Sequence, residues 1–143
     1  MAALSAAGAV ASLGGIGRLR PAPGTWGSAA VLPLALLPGW GCAVAALGFT
    51  LAGFWALARL PEAADDPPWV VVDEAAGMAL ALALAPAAWW GALMAFALFR
   101  LFDVRKPGPV GWLDRRGDAL GVMGDDLAAG LLAGGIAWLM GMV

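Results

Sequence analysis

The sequence predicts an all-α fold, a polytopic membrane helical bundle formed by a single domain over residues 1–143. Hydrophobic residues make up 62% of the chain and charged residues only 13%. The mean hydropathy of +0.85 is too high for an ordinary soluble domain. The charged residues are also confined to three stretches, which lie at 18–20, 59–74 and 100–126. Long uncharged segments therefore alternate with short charged ones, as in a chain that crosses or enters a membrane several times.

The uncharged segments predict six helices, at roughly residues 2–14, 28–37, 41–60, 73–85, 88–103 and 125–142. Pro23, Gly24 and Gly27 indicate a loop before the second helix, which Thr25 or Ser28 is placed to cap. Only the third and last helices approach the ~20 residues that one helix needs to cross a bilayer. No basic stretch precedes the first apolar run, so we expect the apolar segments to be retained.

Prolines inside two uncharged segments predict helical hairpins, broken at Pro38-Gly39 and at Pro86. As one straight helix, residues 75–99 would be about 37 Å long and would place Asp73 and Arg100 on opposite sides of the bilayer. A turn at Pro86 returns them to the same side. The hairpin interpretation therefore brings the charged stretches together at one face of the membrane.

Acidic residues lie at the ends of three of these helices. They are Asp73, Glu74, Asp103, Asp125 and Asp126. Carboxylates at a helix N-terminus are favourable there, but Asp103 is expected at a C-terminus, where it opposes the helix dipole. Five converging carboxylates would repel one another unless they bind a cation. The chain has no His, and its one Cys, Cys42, lies in an apolar run, so an all-oxygen site that prefers Mg²⁺ is predicted.

Basic and hydroxyl side chains flank these acids. Arg100 and Lys106 are either favourable cations at a helix C-terminus or groups that clamp a phosphate. Thr25 and Ser28 are either caps or anion ligands, and spacing alone favours caps. Mg²⁺, carboxylates and a basic clamp together support displacement at phosphorus. Phosphatases that depend on His or on a reactive Cys are excluded, because the residues they need are absent.

Three other function classes remain open from the residues alone. One is a small membrane transporter or channel component, although its acids would be expected inside the helices. Another is a Mg²⁺-dependent phosphatidyltransferase, although the expected D-G-x-x-A-R pattern is absent. A third is a structural membrane protein without catalysis. Nucleic acid is excluded as a partner, because the net charge is −2 and no basic stripe is present.

Four motifs in order resemble those of the bacterial phosphatidylglycerophosphatase A family. They are PGTWGS at 23–28, VVVDEAAGM at 70–78, FRLFDVRKPGPV at 99–110 and GVMGDDLAAG at 121–130. The resemblance implies a Mg²⁺-dependent phosphatase domain of the bacterial inner membrane. It also implies that the enzyme removes the terminal phosphate of phosphatidylglycerophosphate, a phospholipid, to give phosphatidylglycerol.

The resemblance carries the family's acidic, basic and hydroxyl positions onto this chain, and we assign their roles by inference. Metal ligands are predicted at Asp73, Glu74, Asp103, Asp125 and Asp126. Catalytic roles are predicted for Asp73, Glu74, Asp103 and Asp126. Substrate binding is predicted for Thr25, Ser28, Arg100 and Lys106. The basic residues among the charged stretches favour a cytoplasmic active face.

Overall fold

A computed structural model describes residues 5–143, and all of its regular secondary structure is helical. The first residues of the predicted helix 2–14 lie outside this range. Residues 5–143 form seven α-helices, namely α1 (Ala6–Ala11), α2 (Pro23–Ala30), α3 (Gly39–Leu57), α4 (Val72–Leu84), α5 (Trp89–Arg105), α6 (Pro109–Asp114) and α7 (Ala119–Gly141). Short 3₁₀ segments at Ile16–Arg18, Leu32–Leu36 and Pro61–Asp65 connect several of them.

The second helix begins earlier than the sequence predicted. Proline fits the first helical position, because its missing N–H needs no partner there, and α2 accordingly begins at Pro23. The expected loop at residues 23–27 is therefore wrong. Ser28 does not cap this helix, since it lies inside it and donates its hydroxyl hydrogen to the Gly24 carbonyl oxygen at 2.6 Å. The single helix predicted over 28–37 is instead the end of α2 followed by a 3₁₀ segment.

Both predicted hairpin breaks are present in the structure. Pro38 precedes α3, and the 3₁₀ segment before it ends at Leu36. α4 ends at Leu84 and α5 starts at Trp89, so the chain reverses around Pro86. α4 and α5 therefore form an antiparallel pair, and the N-terminal end of α4 lies at the same end of the bundle as the C-terminal end of α5.

α4 is the central helix, because it packs against α3 on one side and α7 on the other. Two glycines allow α4 and α7 to touch through their backbones. A Cβ added to Gly130 would lie 2.2 Å from the Gly77 carbonyl oxygen, and one added to Gly77 would lie 2.3 Å from the Asp126 carbonyl oxygen. Such approaches are closer than any side chain permits, so this contact requires glycine. It holds the acidic start of α4 beside the acidic turn of α7.

The last helix also begins earlier than predicted, at Ala119 instead of residue 125. Asp118 caps it, and its carboxylate accepts a hydrogen bond from the Gly121 backbone N–H at 2.8 Å. Asp125 and Asp126 therefore lie in the second turn of α7 and are buried, so they do not serve as capping residues.

Two helices are long and apolar enough to cross a membrane, α3 with 19 residues and α7 with 23. They correspond to the two helices that the sequence singled out by length. The C-terminal end of α3 and the N-terminal end of α7 lie at the end of the bundle where the acidic residues of α4, α5 and α7 converge.

Candidate active site

The centre of the candidate site is a buried group of three carboxylates. Asp73 comes from the first turn of α4, and Asp125 and Asp126 come from the second turn of α7. Each of the three carboxylates offers an oxygen atom within 4.8 Å of an oxygen atom of the other two. All three residues are at most 3% exposed. Helix packing therefore brings together acids that are more than fifty residues apart in the chain.

Three oxygens around this group have no protein partner. Asp73 Oδ1, Glu74 Oε2 and Asp126 Oδ1 are buried and accept no hydrogen bond from any group within residues 5–143. An unpaired buried carboxylate oxygen is costly, because it has lost water and gained nothing in return. A cation bound among Asp73, Asp125 and Asp126 would offset this cost for the aspartates.

The donor set fits a hard cation. Every candidate ligand is a carboxylate oxygen, and oxygen ligands favour Mg²⁺ or Mn²⁺ over the metals that prefer imidazole or thiolate. The structure thus brings three of the five predicted ligands, Asp73, Asp125 and Asp126, within reach of one another. The predicted ligand Glu74 contributes one of the unpaired oxygens beside them.

Glu74 also faces a second part of the site. A Cβ added to Gly24 would lie 2.6 Å from Glu74 Oε1 and 3.2 Å from Arg100 Nη1. The first turn of α2 therefore lies directly against both side chains, and glycine at position 24 makes room for them. This contact links the predicted motif at 23–28 to the acidic start of α4.

Arg100 is held between an acid and a hydroxyl. It forms an ion pair with Asp103, one turn further along α5, and its Nη1 lies 3.5 Å from the hydroxyl oxygen of the buried Ser28. Ser28 therefore helps to orient the Arg100 guanidinium. Thr25, the other predicted hydroxyl ligand, lies on the same helix and is partly buried. Asp103 lies beside the Asp126 carboxyl as well, so it connects the basic and the acidic parts of the site.

Lys106 directly follows the last residue of α5 and contacts three carboxylates. Its Nζ lies 3.0 Å from Asp125 Oδ2, 3.3 Å from Asp114 Oδ1 and 3.5 Å from Asp103 Oδ1. Burial alone would lower the pKa of Lys106, but the neighbouring carboxylates, Asp125 first, raise it above its ordinary value. Lys106 is therefore a fixed positive charge at the edge of the acidic group.

Two acids of the site were not identified from the sequence. Asp66 and Asp114 are exposed, and each has a carboxylate oxygen within 4.8 Å of the other and of Asp125. Asp66 lies directly before two prolines in a loop between helices, a position typical of an exposed surface charge. The Asp66 carboxyl is nevertheless partly desolvated by the surrounding protein atoms, which raises its pKa, and the Lys106 ammonium partly opposes that effect. The only sequence signal for either residue is its position within a charged stretch.

Comparison with known proteins shows the family of this chain. The family model described as phosphatidylglycerophosphatase A matches residues 9–141, nearly the whole chain. The chain belongs to the phosphatidylglycerophosphatase A family. The match includes every helix that contributes a side chain to the candidate site.

Relatives of the phosphatidylglycerophosphatase A family extend this result. The chain is 37% identical to phosphatidylglycerophosphatase A of Haemophilus influenzae, over 83% of this chain and 78% of that protein. It is 33% identical to phosphatidylglycerophosphatase A of Escherichia coli, over 83% and 74%. It is 39% identical, over 77% of both chains, to a Bacteroides thetaiotaomicron protein whose name proposes a phosphatidylinositol-3-phosphatase. No solved structure matches the chain significantly.

Proposed function

We propose that this chain is a Mg²⁺-dependent phosphatidylglycerophosphatase that acts at the cytoplasmic face of the bacterial inner membrane. It would hydrolyse the terminal phosphomonoester of phosphatidylglycerophosphate and release phosphatidylglycerol and inorganic phosphate. The observation that carries the proposal is the buried group of Asp73, Asp125 and Asp126, with its unpaired oxygens, in a member of a phosphatase family. Family membership also argues against the transporter and phosphatidyltransferase alternatives.

The acidic group would hold the metal ion. Asp73, Asp125 and Asp126 are its proposed ligands, and Glu74 and Asp103 border it. When bound, Mg²⁺ polarises a phosphoryl group and offsets the negative charge that develops on it. Placing the ion among buried carboxylates also removes their mutual repulsion.

The basic residues would bind the phosphate. Arg100, oriented by Asp103 and Ser28, presents a planar donor group that suits two phosphate oxygens, and Lys106 adds a second cation. In the reaction a water oxygen forms a bond to phosphorus and the ester P–O bond breaks. The glycerol oxygen leaves and takes up a proton. A buried carboxylate beside the phosphate orients the water and accepts the proton that it loses.

The exposed surface of α3 supports a membrane location. An apolar stripe runs along it, formed by Trp40, Val44, Leu47, Leu51 and Trp55. The two tryptophans are separated by about 22 Å along the helix, at 1.5 Å per residue. Tryptophan is enriched at both interfaces of a bilayer, and an exposed apolar face between two such residues suits lipid contact. The acidic site lies at the Trp55 end of this helix, near one interface.

The proposed activity is tested by phosphate release from phosphatidylglycerophosphate in neutral detergent micelles. We expect release with Mg²⁺, loss of release with a chelator, and recovery when Mg²⁺ is added back. Phosphatidylinositol 3-phosphate at the same mole fraction is the comparison substrate, because the Bacteroides relative suggests that headgroup. Faster release from the inositol lipid would reassign the substrate, and equal release with and without chelator would contradict the metal assignment.

The topology is tested by cysteine labelling from either side of the membrane. We expect Asp65→Cys and Arg115→Cys to be labelled from the cytoplasmic side, since both positions lie at the acidic end of the bundle. Met142→Cys, beyond the far end of α7, should be labelled from the opposite side, because 23 helical residues span about 34 Å. Native Cys42 is buried and serves as an internal unlabelled control. Labelling of positions 65 and 115 from opposite sides would contradict the single-face arrangement.

A further inference from the structure

A second concave site lies beside the start of α2. It is a pocket of about 330 Å³, within the range of sizes that small-molecule sites occupy. Its lining residues are Gly17, Arg18, Arg20, Pro23, Pro68 and Trp69. None of these residues belongs to the acidic group described above, and the lining contains no carboxylate.

Close backbone contact builds this pocket. A Cβ added to Gly17 would lie 2.0 Å from the Trp69 carbonyl oxygen, so the two chain segments meet there without any side chain between them. The Val71 N–H donates a hydrogen bond to the Ala11 carbonyl oxygen at 2.8 Å and ties the same two segments together. Trp69 packs against the hydrophobic core. The arginine segment is thereby held in place over Pro68 and Trp69.

The charge of the pocket is unbalanced. Arg18 and Arg20 are exposed, and neither makes an ion pair within residues 5–143, so both guanidinium groups are available to a ligand in the pocket. A guanidinium offers several N–H donors in a planar arrangement that matches the oxygens of a phosphate. Two such groups at one concave surface suit an anion with phosphate chemistry.

The pocket adjoins the candidate active site. Pro23 lines it, and the next residue, Gly24, lies against Glu74 and Arg100. Successive Cα atoms are only 3.8 Å apart. A ligand with two phosphate groups, one in each site, would therefore need to cross only the first turn of α2.

We propose that Arg18 and Arg20 bind the phosphodiester of the lipid substrate while its terminal phosphomonoester lies at Arg100 and Lys106. The proposal rests on the proposed function and assigns a subsite to the part of the lipid that does not react. Binding energy from a group remote from the reacting bond fixes the position of that bond. The arginine pocket thus selects lipids that have a phosphodiester between the glycerol backbone and the phosphorylated headgroup.

The test compares two double variants that lose the same charge. Arg18→Gln/Arg20→Gln removes the two positively charged side chains of the pocket, and Arg59→Gln/Arg115→Gln removes two arginines elsewhere. Binding of short-chain phosphatidylglycerol, which has the phosphodiester but no phosphomonoester, is measured by calorimetry in neutral detergent. We expect about tenfold or weaker binding in the first variant, because two charge-assisted hydrogen bonds are lost. Binding in the control should stay within about twofold of the wild type.

Kinetic measurements provide the second readout. We expect the KM for phosphatidylglycerophosphate to rise about tenfold in Arg18→Gln/Arg20→Gln, with kcat within about twofold of the wild type. Inhibition by inorganic phosphate, which needs only the reacting site, should not change. The calorimetric result does not depend on turnover, so it stands even if the proposed phosphatase activity fails.

Three results would overturn the proposal. Unchanged binding of phosphatidylglycerol in the pocket variant would show that the arginines do not contact the phosphodiester. An equal loss in both double variants would show a general effect of net charge. Loss of binding only to vesicles rich in anionic lipid, with normal binding of the short-chain lipid, would assign the arginines to the membrane surface instead.

Discussion

The phosphatase activity of Asp126→Asn is expected to be at least about 100-fold lower than that of the wild type, and the variant is expected to remain folded. Even residues that only support a metal ligand typically cost 10–100-fold when they are removed, so a direct ligand should cost more. Asp126 is 2% exposed and has an unpaired carboxylate oxygen. Asparagine keeps the shape of the side chain and removes one negative charge from a crowded acidic group.

Thermal unfolding separates loss of the metal from loss of the fold. Without Mg²⁺, Asp126→Asn should unfold at the wild-type temperature or above it, because the substitution relieves repulsion between buried carboxylates. With Mg²⁺, the wild type should gain stability, about 2.7 kcal/mol at 100 times the Kd, and the variant should gain much less. Glu62→Gln, an exposed acid outside the site, is the matched control and should behave as the wild type. Full activity in Asp126→Asn, or an equal gain from Mg²⁺, would remove this residue from the metal site.

Lys106→Met is expected to slow the reaction by about 30- to 1000-fold and to leave Mg²⁺ binding unchanged or tighter. Loss of one charge-stabilising donor from a transition state costs roughly 2 to 4 kcal/mol. The Lys106 ammonium also offsets part of the negative charge of Asp125, Asp114 and Asp103. Without the Lys106 ammonium the electrostatic potential around these acids is more negative, which favours the binding of a cation. Methionine keeps the aliphatic stem, so the packing of the side chain is largely retained.

A Mg²⁺ titration of activity checks this assignment. The midpoint for Lys106→Met should fall or stay within about threefold of the wild type, while the rate at saturating Mg²⁺ stays low. Arg105→Met removes the neighbouring cation, whose side chain is exposed, and should keep nearly full activity. If the Lys106→Met midpoint instead rises tenfold and its saturated rate is normal, Lys106 supports the metal site and does not stabilise the transition state.

Much of the architecture could be read from local sequence features. Proline cannot continue a helix, so Pro38 and Pro86 marked the chain reversals correctly. The first residues of the helices were harder to predict. α2 begins at Pro23, although the glycines that follow at 24 and 27 favoured a loop, and α7 begins at Ala119, capped by Asp118, six residues before the expected start. At α2 the proline at the first helical position, and at α7 the Asp118 cap, outweigh the composition of the segment.

The sequence by itself determined that the chain is an apolar, all-helical protein with acidic helix ends and the four motifs of a phosphatase family. These properties depend on residue type, spacing and order along the chain, which the sequence states directly. Only the tertiary structure decided which acids meet. Contact between Gly77 and Gly130 sets α4 against α7 and so joins Asp73 to Asp126. Packing of α6 and of the 3₁₀ segment Pro61–Asp65 on α7 brings Asp114 and Asp66 to Asp125, and Lys106 also lies among these carboxylates. Such contacts join residues far apart in sequence and depend on helix packing at atomic distances, which no local pattern specifies.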